Sequence, residues 1–167
     1  MEVDRSYLNI IRLMRWLAFL FMGTTILLPT SHVYIKPLVY CILALAAIAD
    51  IVWGFAVPPD IRIKHVDSEL TFDIVWITLI QMPTGQIHSP FSFLFAMPIL
   101  ESALLLDKRG VTTIGAISAG ILIPILMLHL WDQPFDLNHF FSYFVRFGLI
   151  FICTYLGGLL AERRAGG

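Results

Sequence analysis

The stretch Pro83-Thr84-Gly85-Gln86-Ile87-His88-Ser89-Pro90-Phe91 separates two apolar runs near the middle of the chain and predicts a tight reversal between two helices. Gly85 suits the left-handed residue that ends a helix, because it has no Cβ to clash in that conformation. Ser89 suits a helix N-cap, and Pro90 suits the first helical position, where no backbone N–H is needed. We therefore expect one helix to end near Met82 and the next to begin at Pro90.

The composition on both sides of this turn is typical of a membrane protein. The 167 residues are 58% hydrophobic and 14% charged, with a mean hydropathy of +0.82, whereas soluble domains carry about 25% charged residues. The apolar residues fall in blocks of about twenty, the length that a helix needs to cross a bilayer. The net charge of −1 gives no electrostatic basis for binding nucleic acid.

Six such blocks predict an all-α, polytopic membrane protein: one domain that is a bundle of six transmembrane helices. Turn and capping residues separate the blocks, among them Pro58-Pro59 after the second, Asp67-Ser68 before the third and Asp107-Lys108-Arg109-Gly110 after the fourth. The predicted spans are 13–30, 37–57, 69–83, 90–107, 111–131 and 138–161.

The lysines and arginines near the ends of these spans lie almost entirely on one side. That side holds Arg5, Arg12, Arg15, Arg62, Lys64, Lys108, Arg109, Arg163 and Arg164. On the other side, Lys36 is the one cation in a loop. Because cytoplasmic loops of membrane proteins are enriched in Lys and Arg, both termini are predicted to be cytoplasmic and the 83–91 turn to be at the outer face.

Two opposite charges, Glu101 and Arg146, lie inside predicted spans. A charge near the bilayer centre costs at least about 2.5–3.5 kcal/mol on insertion scales, so both should face the interior of the bundle and have partners. Pro98 and Pro124 lie at a similar depth, and each removes a backbone donor from its helix. We expect a polar cavity opening toward the outside, in which Glu101 and Arg146 bind a ligand or form a structural ion pair.

Acidic residues nearer the cytoplasmic side allow two interpretations. Asp50 and Asp73 can make polar contacts between helices, with Arg12 or Arg15 as partners. Alternatively, the two aspartates join the buried charges described above in a relay, which would indicate a small transporter or a proton-conducting protein.

A third hypothesis is an outer-face sensor of metal ions or pH. Imidazole and carboxylate groups bind Zn²⁺ or Cu²⁺, and imidazole changes charge near neutral pH. The candidate residues at the predicted outer face are His32, His88, His129 and His139. None of their spacings is a metal-binding signature. The sequence also lacks a Gly-rich phosphate loop and the H-E-x-x-H, G-x-S-x-G and C-x-x-C motifs, so it predicts no catalytic chemistry for this chain.

The segment Thr84–Phe91, between a span with Asp73 and one ending in Leu104–Gly110, resembles the membrane input region of RegB/PrrB-type sensor histidine kinases. PilS-type kinases are similar. In that family six helices precede a cytoplasmic kinase, and the outer loop between helices three and four carries a T-G-G-x-x-N-P-F pattern implicated in quinone sensing. The matching residues are Thr84, Gly85, Pro90 and Phe91, whereas Gln86 replaces the second glycine and Ser89 the asparagine.

The resemblance implies a sensory membrane domain in a bacterial inner membrane, with quinone as the first candidate ligand. The expected ligand-facing residues are Gly85, His88, Pro90, Phe91, Glu101 and Arg146. The sixth helix would carry the signal to a cytoplasmic kinase domain, which acts on a response regulator, and the parent protein would be a homodimer. No phosphoacceptor histidine or nucleotide-binding motif follows Arg164, so the kinase domain is expected to be absent from this chain.

Overall fold

The computed structural model describes residues 5–27, 36–85, 89, 91–132 and 137–166, and within these ranges the chain forms helices and no strand. The α-helices are α1 (Arg5–Leu27), α2 (Lys36–Ala56), α3 (Pro59–Lys64), α4 (Val66–Gln81), α5 (Ala96–Leu105), α6 (Lys108–Asp132) and α7 (Leu137–Gly166). The prediction of an all-α bundle is confirmed.

Four segments are long and apolar enough to cross a membrane: Asn9–Leu27, Lys36–Ala56, Lys108–Leu128 and Phe140–Gly166. Along the chain, shorter helical segments lie between the second and third of these spans. They include α4, which is also more polar, and the apolar segment Ser92–Leu105. Large apolar side chains of α1, α2 and α7 are exposed on the outside of the bundle, as expected for helices that face lipid.

The reversal predicted at Gly85 is present. Met82–Thr84 form a 3₁₀ turn after α4, and Gly85 follows with φ 107° and ψ 20°, in the left-handed region. The next α-helix, however, begins at Ala96 and not at Pro90, because Ser92–Phe95 form a second 3₁₀ segment. Its bonds span three residues, as in Leu94 N–H to the Phe91 carbonyl at 3.0 Å, and this is the 3₁₀ pattern.

Buried hydroxyl groups hold the two sides of this turn together. The Thr84 and Ser89 hydroxyls are 2.6 Å apart, and Thr84 Oγ1 donates to the carbonyl of Ile80 at 2.7 Å. Ser92 Oγ donates to the Ser89 carbonyl at 3.0 Å and accepts a bond from Gln81 Nε2 at 3.1 Å. These bonds satisfy polar groups that would be costly to bury alone.

The connections at the opposite end also differ in part from the prediction. Pro58 follows α2, but the chain then forms the unpredicted short helix α3. The N-cap of α4 is His65, so Asp67 lies in the first helical turn and is not a cap, a position where the helix dipole favours an acidic residue. Asp107 does cap α6, accepting the Gly110 N–H at 2.8 Å.

This opposite end is called the basic end, because its two linkers carry or adjoin Arg62, Lys64, Lys108 and Arg109. The last turns of α7 return to it: Lys108 Nζ is 2.6 Å from Glu162 Oε1.

Helices α4 and α5 lie in the middle of the bundle. Helix α1 packs on α2 and α5, and α2 packs on α4, whereas α6 and α7 pack on each other and on α5. Helix α6 lies close to α7 at Gly115, where an added Cβ would lie 2.2 Å from Thr154 Oγ1. The chain is therefore a tight α5–α6–α7 group beside a group of α1, α2, α4 and α5.

Candidate functional site

A cluster of charged side chains lies inside the bundle near its basic end, with Arg15 at the centre. The Arg15 guanidinium is 2.5 Å from Glu69 Oε1 and 2.5 Å from Asp73 Oδ2. It is also 3.4 Å from Asp50 Oδ1 and 3.4 Å from Glu101 Oε2. One guanidinium thus connects α1 with α2, α4 and α5. Charge-assisted hydrogen bonds of this kind are the strongest that side chains make.

A second guanidinium, that of Arg62 on α3, lies 2.5 Å from Glu69 Oε1. The Arg15 cluster is defined here as Arg15, Asp50, Arg62, Glu69, Asp73 and Glu101. Each side chain is at most 10% exposed except that of Asp73, which is 24% exposed. The cluster contains four carboxyl groups and two guanidinium groups, so it is acidic overall when every group is ionised.

Local sequence explains part of this arrangement. Glu69 and Asp73 are four residues apart on α4 and therefore lie on the same face. The contacts of Asp50 and Asp73 with Arg15 confirm the predicted polar contacts between helices. Arg12, the other predicted partner, instead donates to the carbonyl of Gly54 at 3.4 Å.

A cavity of about 500 Å³ lies between α1, α2, α4 and α5, and the members of the Arg15 cluster other than Arg62 form its polar part. This volume is within the range of small-molecule sites, roughly 300–1,000 Å³. The remaining walls are apolar and partly aromatic, and include Phe19, Met22, Trp53, Phe72, Trp76 and Met97. The rings of Phe72 and Trp76 meet edge to face, with centroids 5.3 Å apart.

Three polar atoms of residues that line the cavity lack a hydrogen-bond partner among the described residues. They are Asp50 Oδ2, an acceptor, and the donors Arg15 Nε and Trp76 Nε1, and all three are buried. Buried polar atoms are usually satisfied, and each exception calls for an explanation.

The sequence analysis placed Glu101 and Arg146 in one outward-opening cavity, as ligand-binding groups or as an ion pair, whereas in the structure only Glu101 of the two lines the described cavity. Glu101 is buried against Arg15 and lines the cavity together with Pro98. Arg146 is half-buried on α7 and does not line this cavity, and its Nη1 has no hydrogen-bond partner among the described residues. Pro124 is exposed on α6. Spacing along a helix had indicated depth in the membrane, but not which neighbour each side chain would meet.

The remaining predicted residues belong to the turn between α4 and α5. Gly85 has the left-handed conformation, and Phe91 is 0% exposed in the core, outside the cavity lining. His88 and Pro90 lie outside the described residues, as does His32. The left-handed turn conformation explains the glycine at position 85, and packing in the core explains the phenylalanine at position 91.

The hypothesis of a histidine metal site stays a prediction. The side chains of His129 and His139 are outside the described part of the structure, like those of the other two candidates. Among the side chains that are described, no group of three or more His, Cys, Asp or Glu residues is arranged to hold a metal ion.

Sequence reasoning missed two members of the Arg15 cluster, Arg62 and Glu69. The available signal was the acidic pair at positions 69 and 73, which places two carboxyl groups on one face of an otherwise apolar helix. Such a face needs a cationic partner inside the bundle.

Four helices long and apolar enough to cross a membrane, together with an internal cavity, define this molecule as a membrane-embedded helical bundle. A family model of the PilS-like transmembrane domain, a six-helix membrane domain, matches residues 4–165. The chain therefore belongs to the PilS-like transmembrane domain family. No curated protein and no solved structure matches the chain.

Proposed function

We propose that this chain is the signal-sensing membrane domain of a sensor histidine kinase and that its signal is a membrane-soluble molecule. Family membership supports the kinase context. The observation that carries the sensory role is the cavity of about 500 Å³ between α1, α2, α4 and α5. A ligand there would contact four helices at once. If it binds one packing arrangement of these helices more tightly than another, it shifts the equilibrium toward that arrangement.

Helix α5 offers a direct route from this cavity to the end of α7. Glu101 near the middle of α5 lines the cavity, and the C-terminal end of α5 accepts hydrogen bonds from the Arg164 guanidinium on α7. The acceptors are the carbonyls of Leu104 and Leu106. A displacement of α5 would therefore move the end of α7, where we propose that the kinase domain continues.

Quinone is the first ligand to test, as the family resemblance implies. A flat ring suits the walls formed by Trp53, Phe72 and Trp76, and Trp76 Nε1 is a buried donor that a quinone carbonyl would satisfy. When decylubiquinone is titrated into the purified chain in lipid nanodiscs, it should quench the tryptophan fluorescence saturably.

Two substitutions separate the possible quinone sites. Ala49→Phe fills the cavity and should abolish quenching if the ring binds there, whereas Ala44→Phe on the exposed face of α2 is the matched control. Arg146→Ala should weaken binding only if the ligand lies beside Arg146, as the sequence predicted. Both sites would be refuted if neither Ala49→Phe nor Arg146→Ala changed the binding of decylubiquinone.

Orientation, location and partners belong to the same proposal. The distribution of Lys and Arg supports cytoplasmic termini, with the basic end at the cytoplasmic face. We place the domain in a bacterial inner membrane, in a homodimeric parent protein whose kinase domain phosphorylates a response regulator.

A second candidate function is proton or ion transport, which the Arg15 cluster favours. Asp50, Asp73 and Glu101 of the predicted relay each contact Arg15, which stands where Arg146 was predicted. Buried carboxyl groups within the membrane commonly mark proton pathways. Proton flux into proteoliposomes that Asp73→Asn abolishes would support transport, and a sensor should show no flux.

A further inference from the structure

The charge balance of the Arg15 cluster restricts what the cavity can bind. Both guanidinium groups already contact carboxylates, and Glu69 accepts from both of them. Four carboxyl groups against two guanidinium groups leave an excess of acceptors at the polar end. A buried charge in a low-dielectric environment needs a compensating partner. With every group ionised, the polar end of the cavity therefore carries a net negative charge.

Asp50 shows where the missing donor would bind. Its side chain is 9% exposed and lines the cavity, and Oδ1 lies at the long distance of 3.4 Å from Arg15. The other oxygen, Oδ2, is buried with no hydrogen-bond partner in the described residues. An ammonium group has three donors and no acceptor, so it suits this position.

The rest of the cavity suits a hydrocarbon chain next to a cation. Its walls are mainly apolar, and the rings of Trp53 and Trp76 lie in the lining that also holds Asp50. Indole faces attract cations within about 6 Å, and this attraction is strongest where water is excluded. A CH₂ group that leaves water for apolar walls gains about 0.8 kcal/mol, whereas one that enters from lipid gains only packing contacts.

We propose that this cavity binds an amphiphilic organic cation, with an alkylammonium head at Asp50 and an alkyl chain along the tryptophan-lined walls. The inference rests on the proposed function only in taking the cavity as the sensory site. A neutral quinone offers acceptors and no donor, so it leaves Asp50 Oδ2 unsatisfied. A metal ion is disfavoured because no described group of three or more ligand side chains is arranged to hold one.

The test compares three probes of equal chain length on the full chain in lipid nanodiscs. Dodecylamine is protonated at pH 7, since alkylammonium groups of the lysine type titrate near about 10.4, whereas dodecanol is neutral and dodecanoate is an anion. A saturable shift in tryptophan emission reports binding, and nanodiscs without the chain correct for partition into lipid. Dodecylamine should bind at least about tenfold more tightly than dodecanol, a difference of about 1.4 kcal/mol, and dodecanoate should not bind.

Substitution then locates the head group. Asp50→Asn keeps the shape of the side chain and removes its charge, so dodecylamine affinity should fall about tenfold while dodecanol affinity stays the same. Asp60→Asn, at an exposed position on α3, is the matched control and should change neither. Circular dichroism checks that each variant is folded. Ala49→Phe should abolish binding of every probe.

The results separate this inference from the proposed function. Equal affinity for dodecylamine and dodecanol, or no effect of Asp50→Asn in a folded protein, overturns the cationic head. Saturable binding of decylubiquinone without binding of dodecylamine also overturns it, but leaves the cavity as a sensory site. If no probe binds and Ala49→Phe changes nothing, the cavity is not a ligand site and both proposals fail.

Discussion

Arg15 connects four carboxyl groups inside this bundle. Its guanidinium contacts carboxylates from α2, α4 and α5 although its own helix, α1, lies at one side of the bundle. Replacing a buried ion pair by apolar residues is often neutral, whereas removing one partner leaves the other charge uncompensated. The stability of the α1, α2, α4 and α5 group should therefore depend strongly on this single side chain.

Arg15→Ala should destabilise the protein by about 3–5 kcal/mol, the range for breaking a buried ion pair. Its removal leaves Asp73 and Glu101 without a cationic partner among the described residues. The thermal unfolding midpoint in detergent measures the effect. Arg12→Ala is the control, because Arg12 makes a long 3.4 Å bond to a backbone carbonyl. Equal midpoints for the two variants would contradict this role of Arg15.

Substitution of Asp50 should have the opposite effect on stability from substitution of Arg15. Asp50 Oδ2 is buried without a partner among the described residues, so Asp50→Asn removes one negative charge at little cost in volume. We expect a thermal midpoint equal to or above that of the natural protein, in contrast to Arg15→Ala. A midpoint as low as that of Arg15→Ala would show that Asp50 is needed to balance Arg15.

At the scale of helices, the close approach of α6 and α7 depends on small residues. Gly115 is buried, and a Cβ there would meet Thr154 Oγ1 at 2.2 Å, whereas a Cβ at Gly120 would have no neighbour within 4 Å. Small residues allow transmembrane helices to approach closely, which strengthens their van der Waals packing.

Gly115→Ala should therefore destabilise the protein by about 1–3 kcal/mol, the usual cost of overpacking. Gly120→Ala should be neutral or slightly stabilising, because alanine favours helix by about 1 kcal/mol over glycine. Unfolding in increasing denaturing detergent compares the two. Adding Thr154→Ala to Gly115→Ala should restore part of the loss; no difference between Gly115→Ala and Gly120→Ala would refute the close contact.

The link between α5 and α7 is a second feature at this scale. Arg164 donates to the carbonyls of Leu104 and Leu106, which the end of α5 leaves without partners in its own helix. Arg163 is next to it and exposed, and it is the natural control.

Arg164→Ala should increase amide hydrogen exchange over residues 102–106, because the end of α5 loses its two external donors. The Leu106 N–H, bonded to the Ser102 carbonyl at 2.7 Å, is the most informative position. Hydrogen-exchange mass spectrometry measures the change, and Arg163→Ala should leave it unaltered. Equal exchange in both variants would remove the proposed route from α5 to α7.

At the scale of the whole molecule, several features could be predicted from sequence for clear physical reasons. The apolar blocks are long enough to define spans, and Gly85 and Asp107 fix helix ends through local backbone chemistry. Local patterns gave no indication of α3 or of the 3₁₀ segment Ser92–Phe95. The partner of Glu101 was also unpredictable, because a helix can turn about its axis and the packing of α1 decides which cation it meets.

The direction in which the bundle crosses the membrane is a further prediction at this scale. On a background with Cys41 and Cys153 replaced by alanine, Met82→Cys near the turn and Lys108→Cys at the basic end are both at exposed positions. A membrane-impermeant maleimide should label position 82 in intact cells, and position 108 only after permeabilisation. The reverse pattern would contradict cytoplasmic termini.

The central claim is that the cavity beside the Arg15 cluster receives the signal. It is tested most directly by fusing the chain after Ala165 to the catalytic region of a sensor histidine kinase and measuring autophosphorylation in nanodiscs with decylubiquinone or dodecylamine. The account predicts that one of these ligands changes the rate, that Ala49→Phe abolishes the change with basal activity retained, and that Ala44→Phe does not. A ligand response that persists unchanged in Ala49→Phe would contradict it.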